Sequence, residues 1–185
     1  MGVNDFKLFS AKVGKGSGVI YQPMNKHDYT YILTANHNLF EERNNERGEK
    51  VKHQLEYIDI LIPNNYETKP LSVELIKNEY YFPHNDADIA ILKINFLEGY
   101  EKIYINSSFT ELTNTDLCGY PYYLKDKDNL GEKYNSSKID SFKSENNTFC
   151  RAQLNDNNSE QSHITGFSGG GIMKIENDYI SLIGI

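Results

Sequence analysis

Apolar residues in this chain fall in short runs broken by Asn, Asp, Gly and Lys clusters, and long stretches with the three-to-four spacing of an amphipathic helix are scarce. That pattern restricts the fold more than any single motif does. Expected strands cover Phe6–Val13, Ser17–Tyr21, Tyr29–Thr34, Gln54–Ile62, Leu71–Ile76 and Ile89–Ile94. A second group covers Leu117–Tyr122, Lys138–Phe142, Thr148–Leu154, Gly171–Ile175 and Tyr179–Ile185. Between the groups, Phe96–Thr115 is polar and weakly patterned, as a connector would be. Asn44–Lys50 and Asp126–Asn135 read as exposed loops, the first with room for a short helix after Leu39-Phe40-Glu41-Glu42. Many short strands joined by turns predict an all-β sandwich or barrel.

A chain of 185 residues is long enough to bury a real core within one domain. With 38% hydrophobic and 24% charged residues it reads as soluble and globular. The formal charge of −7 gives no electrostatic footprint for nucleic acid or an anionic membrane, so neither is an expected partner. No apolar run approaches a membrane span, and Met1–Ser10 carries acidic and polar residues where a signal peptide needs an apolar core. A cytoplasmic location is the expectation. There Cys118 and Cys150 stay reduced, and without metal-ligand spacing they read as buried structural thiols. The Asn-x-Ser triplets at Asn106 and Asn135 carry no weight in so Asn-rich a chain.

The stretch Ile164-Thr165-Gly166-Phe167-Ser168-Gly169-Gly170-Gly171-Ile172 sets one serine among four glycines. Glycine permits unusual backbone angles and close approach. A serine in such a turn can expose its hydroxyl while nearby backbone N–H groups converge, which suits a nucleophile with an oxyanion hole. A plain glycine-rich β-turn would read the same, so the chemistry depends on a base and an acid elsewhere. Among five histidines, His37 follows the run Tyr31-Ile32-Leu33-Thr34-Ala35 and Asn36, which puts it at a strand end. His27 and His53 read as surface residues, and His163 lies close enough to the turn to line a pocket. Asp88 abuts the apolar run Ile89–Ile94, which predicts a partly buried carboxylate in need of a hydrogen-bonding partner. Asp86 competes with it. His84-x-Asp86-x-Asp88 could suggest zinc, but it lacks a second ligand cluster, and a solvated turn is favoured.

Thr34-Ala35-Asn36-His37, Asp88-Ile89-Ala90-Ile91-Leu92 and Gly166-Phe167-Ser168-Gly169-Gly170 together resemble the chymotrypsin/trypsin-like serine peptidases, whose chain order is His, Asp, Ser. Gly14-Lys15-Gly16-Ser17-Gly18-Val19-Ile20 is similar to the strand before the histidine in bacterial members. The resemblance covers almost the whole chain. It implies two six-stranded antiparallel β-barrels, the first over 1–95, a connector over 96–115 and the second over 116–185. It implies Ser168 as nucleophile, His37 as general base, Asp88 as its orienting acid, and the N–H groups of Gly166 and Ser168 as oxyanion hole. No metal or organic cofactor is implied. The substrate would be a protein or peptide.

The departures from the family pattern matter too. Phe167 replaces the acid that pairs with a new N-terminus in activated zymogens, and Asn38 stands where secreted relatives often carry a disulfide cysteine. Ser162, His163 and Thr165 match the walls of the primary specificity pocket, and uncharged Ser162 gives no basis for a Lys or Arg preference. At Ser181-Leu182-Ile183-Gly184-Ile185 the chain stops before the segment that pairs with substrate in relatives. The second barrel is therefore expected to be incomplete at its C-terminus, the chain being a fragment or a protease domain completed by another segment. A bacterial defence-type effector, fused to or associated with a regulatory sensor domain, fits that expectation. The competing class is a catalytically silent module that only binds peptides or proteins.

Overall fold

The computed structural model describes residues 3–23, 25, 28–62, 70–100, 102–106, 115–120, 135–144, 150–154, 166–176 and 179–185. Within Asn135–Ser144 and Cys150–Leu154 it gives the backbone, with the side chain of Ile139 alone described. The first group of strands is β1 (Ser10–Val13), β2 (Gly16–Tyr21), β3 (Tyr29–Ala35), β4 (Phe40–Asn44), β5 (Lys50–Gln54), β6 (Tyr57–Leu61), β7 (Pro70–Glu74), β8 (Tyr81–Pro83) and β9 (Ile89–Asn95). The second is β10 (Tyr104–Ile105), β11 (Thr115–Gly119), β12 (Asn135–Ser144), β13 (Cys150–Leu154), β14 (Gly171–Glu176) and β15 (Tyr179–Gly184).

These strands form a curled seven-stranded sheet in the order β7-β6-β1-β2-β3-β9-β8 and a six-stranded sheet in the order β10-β15-β14-β11-β12-β13. The hairpin β4-β5 stands apart as a third, two-stranded sheet. Neighbours pair antiparallel except β10 with β15, which run parallel. Strands form where period-two burial is available. In β9 the buried residues Ala90, Leu92 and Ile94 alternate with more exposed ones, and β3 sets Leu92 directly opposite Ile32. Burial of Leu92, Ile94 and Ile32 contributes about 1.5–3 kcal/mol each on leaving water.

Strand β2 is shared. Ile20 packs into the first core with Ile32, Ile60 and Leu92, while Val19 packs into the second with Phe6, Phe9, Met173 and Leu182. A strand buried on both faces needs no polar alternation, and β2 is buried from Gly16 to Ile20. Its one polar side chain, Ser17, is fully buried.

Several expectations shift. The strand expected from Phe6 starts as a 3₁₀ turn over Val3–Phe9. Phe6 and Phe9 repeat at the three-residue period of that turn and both enter the second core. No helix follows Leu39-Phe40-Glu41-Glu42: Phe40–Asn44 is strand β4, preceded by a 3₁₀ turn over Asn36–Leu39. The Asn44–Lys50 loop narrows to a hairpin turn: Asn45 Oδ1 accepts the N–H groups of Arg47 and Glu49, and Gly48 takes φ 78°. The strand expected over Gln54–Ile62 runs shorter, as β6, with Gln54 ending β5 instead and Leu55 N–H turned aside to the Leu39 carbonyl at 3.0 Å. The connector contains β10, and β8 adds an unforeseen seventh strand to the first sheet. Of the loop expected over Asp126–Asn135, residues 126–134 lie outside the described residues, and Asn135 already belongs to β12.

Candidate active site

Strands β3 and β9 pair as far as Ala35 opposite Ile89, so the residues beyond that rung leave the sheet side by side. Asn36 N–H donates to the Asp88 carbonyl at 3.1 Å, which continues the ladder by one bond. His37 follows. Its backbone N–H donates to Asp88 Oδ1 at 2.9 Å, and its ring Nδ1 makes a short contact with Asp88 Oδ2. Both carboxylate oxygens are thereby engaged by one residue, fixing imidazole and carboxylate as a unit. The Tyr81 hydroxyl donates to Asn36 Oδ1 at 2.6 Å, and burial pushes the Tyr81 phenol's pKa up, so the donor keeps its proton.

With Nδ1–H directed at the carboxylate, Nε2 is left with its lone pair, and Ser168 Oγ lies 2.7 Å from it. The result is an unbroken relay from hydroxyl through imidazole to carboxylate. The expected partial burial of Asp88 does not hold: its side chain is 57% exposed, beside 46% for His37. Asp88 precedes the first residue of β9 and sits at the rim, where His37 rather than burial holds it.

Ser168 stands in the turn Gly166–Gly170, closed by Gly170 N–H donating to the Phe167 carbonyl at 2.6 Å. Gly166 and Gly169 take φ of 98° and 80°, a region where side chains are strained. Space restricts the turn as well. A Cβ on Gly169 would run into the Ser17 carbonyl and Ala35 N, and one on Gly170 into the Cys118 carbonyl. Phe167 points inward, 5% exposed. It borders a cavity of about 380 Å³ that Ala35, Ile89, Leu117, Ile172 and Ile185 also line, with Asp88 and Ser168 at its edge.

The turn is tied to the first sheet. Ser17 N–H donates to the Ser168 carbonyl at 2.8 Å, and so does Asn38 Nδ2, also at 2.8 Å. Ser17 Oγ donates to the Gly166 carbonyl at 2.6 Å and accepts Tyr120 N–H at 2.8 Å. Thr34 Oγ1 donates to the Ser17 carbonyl at 2.6 Å, and Asn38 Nδ2 lies 3.1 Å from Thr34 Oγ1.

Of the residues singled out in the sequence, His37, Asp88, Ser168 and Gly166 therefore come together in one place. Ser162, His163 and Thr165 lie outside the described residues, as does His27. His53 sits on exposed β5 opposite Glu41. His84 caps a turn, its Nδ1 accepting the N–H groups of Asp86 and Ala87 at 3.1 and 3.0 Å. Among the described residues no group of three His, Cys, Asp or Glu could hold a metal ion. Cys118 is a buried thiol lying 3.7 Å from the Asp116 carbonyl oxygen, while the Cys150 side chain is outside the described set. No helix among the described residues is long and apolar enough to cross a membrane. The sequence reading missed Ser17 and the bonding role of Asn38. A lone polar residue in an otherwise apolar strand was the available signal for Ser17. Nothing local marked Asn38.

No protein-family model and no curated protein matches the chain. Solved structures do. It is similar to Deg5, with a TM-score of 0.50 and 15% identity, over 97% of this chain and 85% of Deg5. It is similar to the HtrA-type protease AlgW with a tripeptide, with a TM-score of 0.54 and 16% identity, over 98% of this chain and 57% of AlgW. The chain thus spans little more than half of AlgW. The fold is all-β and chymotrypsin-like, with the candidate site between its seven-stranded and six-stranded sheets.

Proposed function

We propose that this chain is a serine endopeptidase that hydrolyses peptide bonds through an acyl-enzyme. The relay Ser168 Oγ–His37–Asp88 carries this reading. In the first step the Ser168 Oγ–H bond breaks as Oγ bonds to the scissile carbonyl carbon, and His37 Nε2 takes the proton. The carbonyl oxygen becomes an oxyanion, stabilised by the N–H groups of Gly166 and Ser168. Asp88 keeps Nδ1 protonated and offsets the charge of the imidazolium. As the tetrahedral intermediate collapses, the C–N bond breaks and Nε2 gives its proton to the leaving amine. Water then attacks the acyl-serine, with His37 again as base, and releases the acid.

Ser162, His163 and Thr165 are the residues we assign to the substrate pocket. We assign residues 1–95 to a first barrel, 96–115 to a connector and 116–185 to a second barrel of one peptidase domain. The chemistry needs only a protein or peptide substrate and water. A cytoplasmic setting, and service as the protease part of a larger bacterial, defence-type protein with a sensor domain, remain part of the proposal; the fold is compatible with both. Labelling of the intact chain by a fluorophosphonate, together with turnover of a peptide library, tests the reading. Ser168→Ala is expected to remove both at an unchanged far-UV spectrum. Labelling that persists in the variant removes Ser168 as nucleophile. A parent chain that binds peptides without cleaving them makes this a silent binding module.

A further inference from the structure

We infer that Ser17 is a positioning residue that holds the Gly166–Phe167 and Ser168–Gly169 peptide planes of the nucleophile's turn. The inference rests on the proteolytic reading above and names a residue that acts on the same site from the opposite sheet. Ser17 touches neither His37 nor Asp88 by hydrogen bond. Its contacts converge on the turn: its N–H holds the Ser168 carbonyl at 2.8 Å, and its hydroxyl holds the Gly166 carbonyl at 2.6 Å. Both ends of Gly166-Phe167-Ser168 are thus gripped by one residue.

The hydroxyl has a defined direction. Tyr120 N–H donates to Ser17 Oγ at 2.8 Å, so the oxygen is an acceptor there and its single proton is committed to the Gly166 carbonyl. Ser17 is fully buried, so no water competes for that proton. Gly119 makes the room: a Cβ there would lie 2.5 Å from Ser17 Oγ and 2.9 Å from Ser17 Cβ. The Thr34 hydroxyl on the Ser17 carbonyl fixes the backbone from the other side.

The consequence is electrostatic. Gly166 has φ 98° and no side chain, so by itself it has little to resist rotation. A carbonyl swung toward the nucleophile would put partial negative charge where an oxyanion must form. The Ser17 hydroxyl keeps the Gly166 carbonyl on a buried partner, which holds its partial negative charge on the buried side of the turn. Preorganisation of this kind acts on the transition state more than on ground-state binding.

The intact chain with Ser17→Ala and Ser17→Thr tests this, using p-nitrophenyl acetate as substrate and a fluorophosphonate as titrant, with rates normalised to the fraction folded. Ser17→Ala is expected to lower kcat about 10- to 100-fold with KM within about 2-fold, because the loss lies in orientation. Ser17→Thr, which restores a hydroxyl, is expected to return kcat to within about 3-fold of the parent. The pH midpoint of kcat/KM should not move, since His37 and Asp88 keep their contacts. A Ser17→Ala kcat within about 2-fold of the parent per folded molecule overturns the inference. So does an equal loss in both variants, or a moved midpoint. A parent inert toward ester and titrant alike overturns the catalytic reading itself, and the positioning role with it.

Discussion

The two halves of the candidate site are built in opposite ways. On the first sheet, His37 and Asp88 are delivered by strands that pair with each other, the Asn36 N–H bond to the Asp88 carbonyl extends the β3-β9 ladder by a rung, and His37 binds the Asp88 carboxylate. That half is self-contained. On the second sheet, the turn bearing Ser168 is held from outside, by Ser17 and Asn38 of the first. The cores differ in the same sense: the first is built from β1, β2, β3, β6, β7 and β9 with Leu39 and Tyr81, whereas the second borrows Val19 from β2 and Phe6 and Phe9 from the N-terminal 3₁₀ turn. The His37–Asp88 pair is thus a local property of one sheet. The placement of Ser168 is a property of the joint between the two.

The comparison predicts a hierarchy of effects on turnover per folded molecule. Below Ser168→Ala, the largest should come from Asp88→Asn, which strikes the self-contained half. The amide could still accept His37 N–H through its oxygen, but its NH₂ would face Nδ1. The imidazole would then carry its proton on Nε2, facing Ser168 with a donor where a base is required. The expected loss in kcat is about 10³–10⁴-fold with little change in melting temperature. Stopped-flow measurement of acylation reads it directly. A loss under about 10-fold would mean that the exposed carboxylate does not set the tautomer, and the contrast between the halves would collapse.

The same division explains what could be read in the sequence. His37 and Asp88 were legible because each adjoins an apolar run that predicts its own strand, and Gly166-Phe167-Ser168-Gly169-Gly170 was legible because close approach and positive φ demand glycine. Ser17 and Asn38 were not, because their roles exist only across the joint. Their hydrogen bonds to Ser168 span 151 and 130 residues of sequence. Local pattern likewise failed at Val3–Phe9, where two phenylalanines at 3₁₀ spacing also suit a strand beginning. It failed at β8, three residues long, which exists because β9 offers it an edge. The exposure of Asp88 was misjudged for a related reason: an apolar run says that the strand is buried, not the residue before it.

Asn38→Ala also probes the joint and should fall below Ser17→Ala in effect. It removes the side-chain donor to the Ser168 carbonyl and the contact with Thr34 Oγ1, while Ser17 N–H remains on the same carbonyl. With one of two donors kept, the turn should loosen rather than rearrange. Stability should fall by about 1–2 kcal/mol, as for one or two half-buried hydrogen bonds. Turnover should fall about 3- to 10-fold. Chemical denaturation and ester hydrolysis on the same sample separate the two. An Asn38→Ala loss as large as that of Asp88→Asn would place the nucleophile's support in Asn38 rather than sharing it with Ser17.

Ile60→Ala should have the smallest effect on turnover and a large one on stability. Ile60 is fully buried in the first core, on a strand separated from β3 by β1 and β2. Truncation leaves a cavity lined by apolar side chains, and the expected cost is about 2–5 kcal/mol. Because His37 and Asp88 are held by hydrogen bonds to each other at the far ends of β3 and β9, the strain has no direct route to them. Molecules that remain folded should turn over substrate within about 2-fold of the parent. The informative comparison is with Asn38→Ala, which is expected to be milder in denaturant and worse in turnover. If the two variants instead lose activity in proportion to stability, the Ser168 turn would simply follow the fold as a whole. The joint would then have no special claim on the nucleophile.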